Sequence, residues 1–204
     1  ERGFAVTDRS GTVRRSARGG LTDSILGTRN LMMVASLSVV GLIILIPLNY
    51  IAPAGAASQS AVWLGVSLLG LWVIPYLLPL AVVRRPGASL LAALIIGVVS
   101  VFTTPAGPAA IVGNVIGGLL VEFPMALMLY RKWTWWAYLI SAAFFGAFNS
   151  LLYLTLLKHA VGISVSGLIV LVGVTSSVIG GLAVVGLTRL LNNAGVGVGV
   201  DHRE

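Results

Sequence analysis

The chain has 204 residues, a length that permits one or two soluble domains, but 57% are hydrophobic, 9% are charged and the mean hydropathy is +1.00. Soluble domains carry about 25% charged residues, so the composition excludes an ordinary soluble protein and predicts an all-α integral membrane protein. Cysteine is absent, which removes disulfides and thiolate metal sites. The net charge of +7 does not point to nucleic acid, because the basic residues stand at the ends of apolar runs rather than in one patch.

Residues 1–30 form a polar, arginine-rich stretch expected to be a disordered tail at an anionic membrane surface. The first apolar run, 31–51, followed by Ala54-Gly55-Ala56, imitates a secretory signal, but it exceeds the usual core of about 7–15 residues and reads as a retained helix. A small, uncharged linker leads to the second run, 61–83, which holds Pro75 and Pro79; these predict a kink or local unwinding in its inner half. The third run, 88–103, is short against the roughly 20 residues a bilayer core requires, and it ends in the turn Thr104-Pro105-Ala106-Gly107-Pro108.

The fourth run, 109–130, closes on Arg131-Lys132-Trp133. Trp135, Trp136 and Tyr138 open the fifth, 135–157, as an interfacial aromatic belt. After Lys158 and His159 the sixth run, 163–191, is rich in Gly, Ser and Val, and 192–204 is a flexible tail. If the six runs alternate, Arg29, Arg84, Arg85, Arg131, Lys132, Arg189 and Arg203 share one side, and only Lys158 and His159 take the other. The positive-inside rule then places both termini in the cytoplasm.

Glu122 is the only carboxylate between Asp23 and Asp201. An acid in an apolar run is costly and is a functional-site hypothesis by default. It lies eight residues before Tyr130, about 12 Å along a helix, and is expected to face the bundle interior. Gly118 and Ala126 share its face, with Asn114 one turn further out. Two readings are open: a ligand contact, or a buried glutamate tying two helices together through a serine, asparagine or arginine. Phe145, Asn149 and Tyr153 form one stripe at i, i+4, i+8, suited either to a planar polar ligand or to helix packing. Trp72 is too deep for the belt and either fills the core or walls a pocket. Ser176, with Thr175 and Ser177, is a weaker candidate, since such hydroxyls commonly bond back to their own helix. With only two histidines, His159 and His202, no metal site is expected. Catalysis of the Ser/His/Asp type lacks a buried acid other than Glu122. Two other functions stay open: a small secondary, proton-coupled transporter with Glu122 as its proton site, or a membrane assembly subunit without a small-molecule ligand.

The order of the proline-broken helix, Arg84-Arg85-Pro86-Gly87-Ala88, the Thr104-Pro105-Ala106-Gly107 turn, Glu122 and Tyr130-Arg131-Lys132-Trp133 resembles the YkoE-like substrate-binding (S) subunits of energy-coupling-factor (ECF) transporters. The ending, from Gly180-Gly181 through Thr188-Arg189-Leu190-Leu191 to Ala194-Gly195-Val196, is similar as well, so the likeness spans about residues 30 to 196. The resemblance implies a six-helix, non-enzymatic S-component without a cofactor in a bacterial cell membrane. Such a subunit captures a vitamin-like ligand, thiamine or its hydroxymethylpyrimidine precursor, and topples to deliver it. Its partners would be a membrane T subunit and two ATPases. It further implies Glu122 at the ligand's polar edge, with Asn114, Trp72, Phe145, Asn149, Tyr153 and Ser176 around it. The family's Gln-Gly-x-Gly-x-Glu stretch corresponds to Gly117–Glu122 here, with Gly117 in the glutamine position. The small residues Ala35, Ser38 and Gly41, and Ala88 with Ala92, are the expected docking surface for the T subunit.

Overall fold

The computed structural model describes residues 27–55, 59–161 and 167–195. Seven helices occupy them: α1 Thr28–Gly55, α2 Gln59–Ser67, α3 Leu69–Val83, α4 Ala88–Thr103, α5 Ala109–Leu127, α6 Trp135–Val161 and α7 Gly167–Asn193. No strand occurs among the described residues. Helices α2 and α3 belong to one apolar stretch, Val62–Val83, interrupted at Leu68. Five stretches are long and apolar enough to cross a bilayer, and α4 is a shorter apolar helix beside them. The polar stretch before residue 27, the linker residues 56–58, the side chains of Lys158 and His159, and the tail after residue 195 lie outside the described side chains or residues.

Helix α3 is the centre of the bundle and packs against α1, α4, α5, α6 and α7. From Val73 to Val83 every residue is buried. Its contact with α7 brings backbone close to backbone: a methyl group on Gly180 would collide with the Gly70 carbonyl, and one on Gly70 with the Ser176 carbonyl. Small residues allow such approach where no hydrophobic force separates helices from lipid.

The unwinding expected at Pro75 and Pro79 occurs instead at Leu68, and α3 runs helically through both prolines. A groove accommodates the first ring: a methyl on Gly41 of α1 would sit 2.8 Å from Pro75 Cβ. At the break, the Ser176 hydroxyl donates to the Ser67 carbonyl and accepts the Gly70 N–H at 3.0 Å. The Leu71 N–H closes a tighter turn onto the Leu68 carbonyl at 2.9 Å. An unmatched backbone group in hydrocarbon costs several kcal/mol, so the chain unwinds where a hydroxyl from α7 can answer it.

Helix α4 is satisfied at both ends by other helices. At its C-terminus the Tyr50 hydroxyl of α1 donates to the Thr103 carbonyl at 3.1 Å. At its N-terminus Gly87, with φ +83°, opens the helix after Arg84 has turned α3 off in the left-handed region at φ 51°. The end of the bundle that carries Arg84, Arg85, Arg131 and Lys132 is termed the basic end below.

Candidate functional site

Away from the basic end, α1, α3, α5, α6 and the turn after α4 enclose a cavity of about 250 Å³. Trp72 and Tyr76, one turn apart on α3, supply one wall, and Phe145 and Asn149 of α6 supply another. Asn49, Thr104, Asn114 and Gly117 complete its polar and small surface; no acid, lysine, arginine or histidine lines it. The Tyr76 hydroxyl donates to Asn114 Oδ1 at 2.7 Å, and Asn114 Nδ2 donates to the Ala110 carbonyl at 2.6 Å. The Tyr76 and Phe145 rings meet at 6.0 Å with a 41° tilt. Gly117 makes this possible, since a methyl there would stand 3.1 Å from the Tyr76 ring. A longer side chain at 117 would displace the tyrosine. The cavity is therefore an aromatic box edged with amides, suited to an uncharged or diffusely charged ring.

A smaller chamber of about 130 Å³ adjoins it, lined by Gly65, Val66, Leu69 and Tyr153 together with Trp72, Asn149 and Leu152, which belong to both. The stripe Phe145–Asn149–Tyr153 thus runs along the two chambers in order.

Glu122 lines neither chamber. It is 3% exposed and accepts the N–H of Gly87 on one oxygen and that of Leu90 on the other, the latter at 3.1 Å. The Tyr130 hydroxyl also donates to it, at 3.1 Å. Its carboxylate caps α4 from a neighbouring helix, which is favourable at a helix N-terminus. Of the two readings open at the sequence level, this geometry matches the tie between helices, made through backbone amides and a tyrosine rather than a serine, asparagine or arginine. Leu129 and Tyr130 both adopt the left-handed region at φ 53°. The Leu129 N–H bonds the Ala126 carbonyl at 2.8 Å and the Tyr130 N–H bonds that of Met125 at 3.0 Å, a Schellman-type end to α5. The strain of two non-glycine residues there is offset by the Tyr130–Glu122 bond and the Tyr130–Trp133 contact at 6.1 Å. Burial, followed by the charge of Glu122 and the bond to it, pushes the Tyr130 phenol up to about 12.

A family model described as the permease component of an ABC-type cobalt transport system matches residues 29–148. The chain belongs to that family. A crystal structure of an S-component of an ECF transporter superposes with a TM-score of 0.72 at 17% identity, covering 83% of this chain and 87% of that one. The permease therefore has the S-component fold and is a multi-pass membrane protein. Comparison with curated proteins gives no match.

Within this permease the expected site residues separate. Asn114, Trp72, Phe145 and Asn149 meet at the main chamber and Tyr153 at the side chamber, whereas Glu122 and Ser176 stand apart. Ser176 is held at the Leu68 break. The expected docking surface requires correction, because four of its five residues are inside the bundle. Ser38, Ala88 and Ala92 are 0% exposed, and Gly41 is buried against Pro75. Small residues on these helices serve internal contact: a methyl on Gly97 would meet the Ile111 backbone at 3.0 Å, and Ser89 donates to the Gly118 carbonyl at 3.2 Å. Only Ala35 is half-buried. Sequence reasoning missed Tyr76 and Asn49. Tyr76 lies one turn after Trp72 and Asn49 one turn after Leu45, so extending the helical spacing from each would have found them.

Proposed function

We propose that this chain is the substrate-capture subunit of an ECF-type vitamin transporter, binding a small ring compound such as thiamine or its hydroxymethylpyrimidine precursor. The observation that carries this reading is the box of Trp72, Tyr76 and Phe145 edged by Asn49, Asn114 and Asn149. Aromatic faces hold a planar ring by stacking, or a delocalised cation by its charge. The amides select the ring's hydrogen-bonding edge, as is usual for small-molecule pockets.

The family description names cobalt, yet the donor set does not fit a bare divalent ion. Among the described residues no three His, Cys, Asp or Glu side chains come together, and such ions are held by imidazole, thiolate or carboxylate.

In this reading the basic end faces the cytoplasm, both termini lie there, and the chambers load from outside. Contact with a T subunit falls to the outward face of α1, where Met32, Val39 and Ile43 are exposed beside Ser36 and Ala35. ATP hydrolysis belongs to two partner subunits.

Mass spectrometry of the ligand released from purified, denatured protein is the direct test, followed by calorimetric titration with hydroxymethylpyrimidine and with thiamine. Binding of either at micromolar concentration or below is expected; binding of cobalt ion and of neither organic compound would overturn the reading.

A further inference from the structure

A groove of about 590 Å³ opens between α4, α5 and α6 and shares no residue with either chamber. Leu90 of α4, Leu119 and Phe123 of α5, and Phe144 and Phe148 of α6 line its length. Phe123 stacks on Phe144 at 5.3 Å, and Phe144 meets Phe148 at 5.1 Å, so one wall is a continuous aromatic surface. Leu119, Phe123 and Phe148 are exposed. Ala126 and Tyr130 line the end nearest the basic residues. From Ala126 to Leu119 the rise is about 10 Å, against about 15 Å for half of a hydrocarbon core. The groove thus lies mainly in the leaflet at the basic end.

At its head one carboxylate oxygen joins two basic turns. Glu122 Oε1 accepts both the Gly87 N–H and the Tyr130 hydroxyl, the latter at 3.1 Å. That pins Arg84-Arg85-Pro86-Gly87 against Tyr130-Arg131-Lys132, and Arg84, Arg85, Arg131 and Lys132 are all exposed. Glu122 is the only acid among the described residues, and it is buried and committed to these bonds. No carboxylate of the described residues therefore neutralises the four cations. Lys132 Nζ stands 5.5 Å from the centre of the Trp136 ring, and Trp135 is exposed beside it, which sets this segment at headgroup depth.

We propose that the groove is a binding site for one anionic phospholipid, with an acyl chain along the Phe123–Phe144–Phe148 wall and its phosphate at Arg85, Arg131 and Lys132. Acyl chains fill any such groove in a bilayer, and the charged rim decides whose. Size favours a chain over a helix. At about 30 Å³ per water-sized group, the groove takes about twenty methylene-sized groups, whereas 10 Å of a helix about 10–12 Å across needs about 800 Å³ or more. Basic clusters at the membrane surface attract anionic headgroups, and guanidinium groups pair with phosphate through two N–H bonds. A zwitterionic lipid brings its own ammonium to the same place and gains less. The site is independent of the compound held in the chambers.

The test places the full chain in phosphatidylcholine vesicles with a trace of phosphatidylglycerol or phosphatidylcholine carrying a diazirine in one acyl chain. After photolysis the labelled residues are mapped by mass spectrometry. The phosphatidylglycerol probe is expected to label Leu119, Phe123, Phe144 and Phe148 at least about tenfold more than the phosphatidylcholine probe. Val39 and Ile43, exposed on α1, should be labelled equally by both. Arg131→Gln combined with Lys132→Gln changes only exposed side chains and should bring the groove's preference to within about twofold. Ala126→Leu fills the groove, keeps every cation and should cut groove labelling by phosphatidylglycerol about fivefold. Equal labelling of the wild-type groove by both probes overturns the site, as does a preference that survives the double variant. Labelling unchanged by Ala126→Leu means that no chain lies in the groove, and overturns it too. Groove labelling that falls as protein density rises gives the groove to a second copy of the chain and overturns the lipid assignment.

Discussion

The Tyr76 phenol donates to Asn114 Oδ1 across 2.7 Å, joining the proline-flanked segment of α3 to the glycine face of α5. This bond fixes one aromatic wall and one amide edge of the main chamber together. Tyr76→Phe removes it while keeping the ring, and should weaken binding of hydroxymethylpyrimidine by about fivefold to tenfold, a hydrogen bond's net worth of about 1 kcal/mol. Gly117→Ala should do more, because its methyl would stand 3.1 Å from the ring it must displace. Calorimetric titration of both variants checks the order.

Glu122 caps α4 and lines neither chamber. Glu122→Ala strands the Gly87 and Leu90 amides and should cost about 2–5 kcal/mol of stability, while Glu122→Gln keeps an acceptor and should cost less. Ligand affinity of the folded fraction should change by less than about threefold, since the residue lines neither chamber. Thermal denaturation paired with titration separates the two effects; a tenfold fall in affinity would return Glu122 to the binding site.

Two glycines of α7 give opposite expectations. Gly180→Ala places a methyl against the Gly70 carbonyl, and the backbone of α3 cannot move aside cheaply. A loss of about 3 kcal/mol or more is expected, with severe loss of folded yield. At Gly186 the same methyl meets nothing within 4 Å, so Gly186→Ala should be neutral or stabilising by up to about 1 kcal/mol, the usual helix preference for alanine. Chemical denaturation of both variants in mixed micelles reads the difference.

Tyr130 introduces a dependence on high pH. Its phenol is raised in the folded protein to about 12 from an ordinary 10, first by burial and then by Glu122. Below pH about 10 folded and unfolded chains both hold the proton and the contribution is whole. It declines as pH rises through that value and is gone above about 12, where the unfolded state has the advantage of releasing the proton more readily. The effect is modest because the ring is only partly buried and solvent screens it. The Tm difference between wild type and Tyr130→Phe should shrink across this window and be flat from pH 7 to 9.

Much of the architecture was legible because lipid allows few backbone solutions: long apolar runs must be helices, and their charged ends mark the turns. The helical stripe Phe145–Asn149–Tyr153 was legible for the same reason, as spacing alone puts three side chains on one face. What stayed hidden depends on partners distant in sequence. Whether a small residue such as Gly41 faces outward or accommodates Pro75 is not written in α1. Ser176 looks like any hydroxyl in a helix until the break at Leu68 is brought beside it. Glu122 stands out in the sequence as costly, but the amides that meet its carboxylate come from the start of α4, beginning at its N-cap Gly87, 35 residues earlier.

That separation bears on how the protein enters its membrane. At about 1.5 Å per residue, the 16 residues of α4 span about 24 Å, less than a hydrocarbon core of about 30 Å. Emerging alone, this helix would present unpaired amides at one end, and α5 emerging alone would present a bare acid. The first is short for a span and the second is long enough but carries an unmet acid; together they satisfy each other, so α4 and α5 are expected to partition from the translocon as a hairpin. In a glycosylation-mapping assay, nascent chains halted before Glu122 should leave α4 largely uninserted, and chains extended through Tyr130 should insert it.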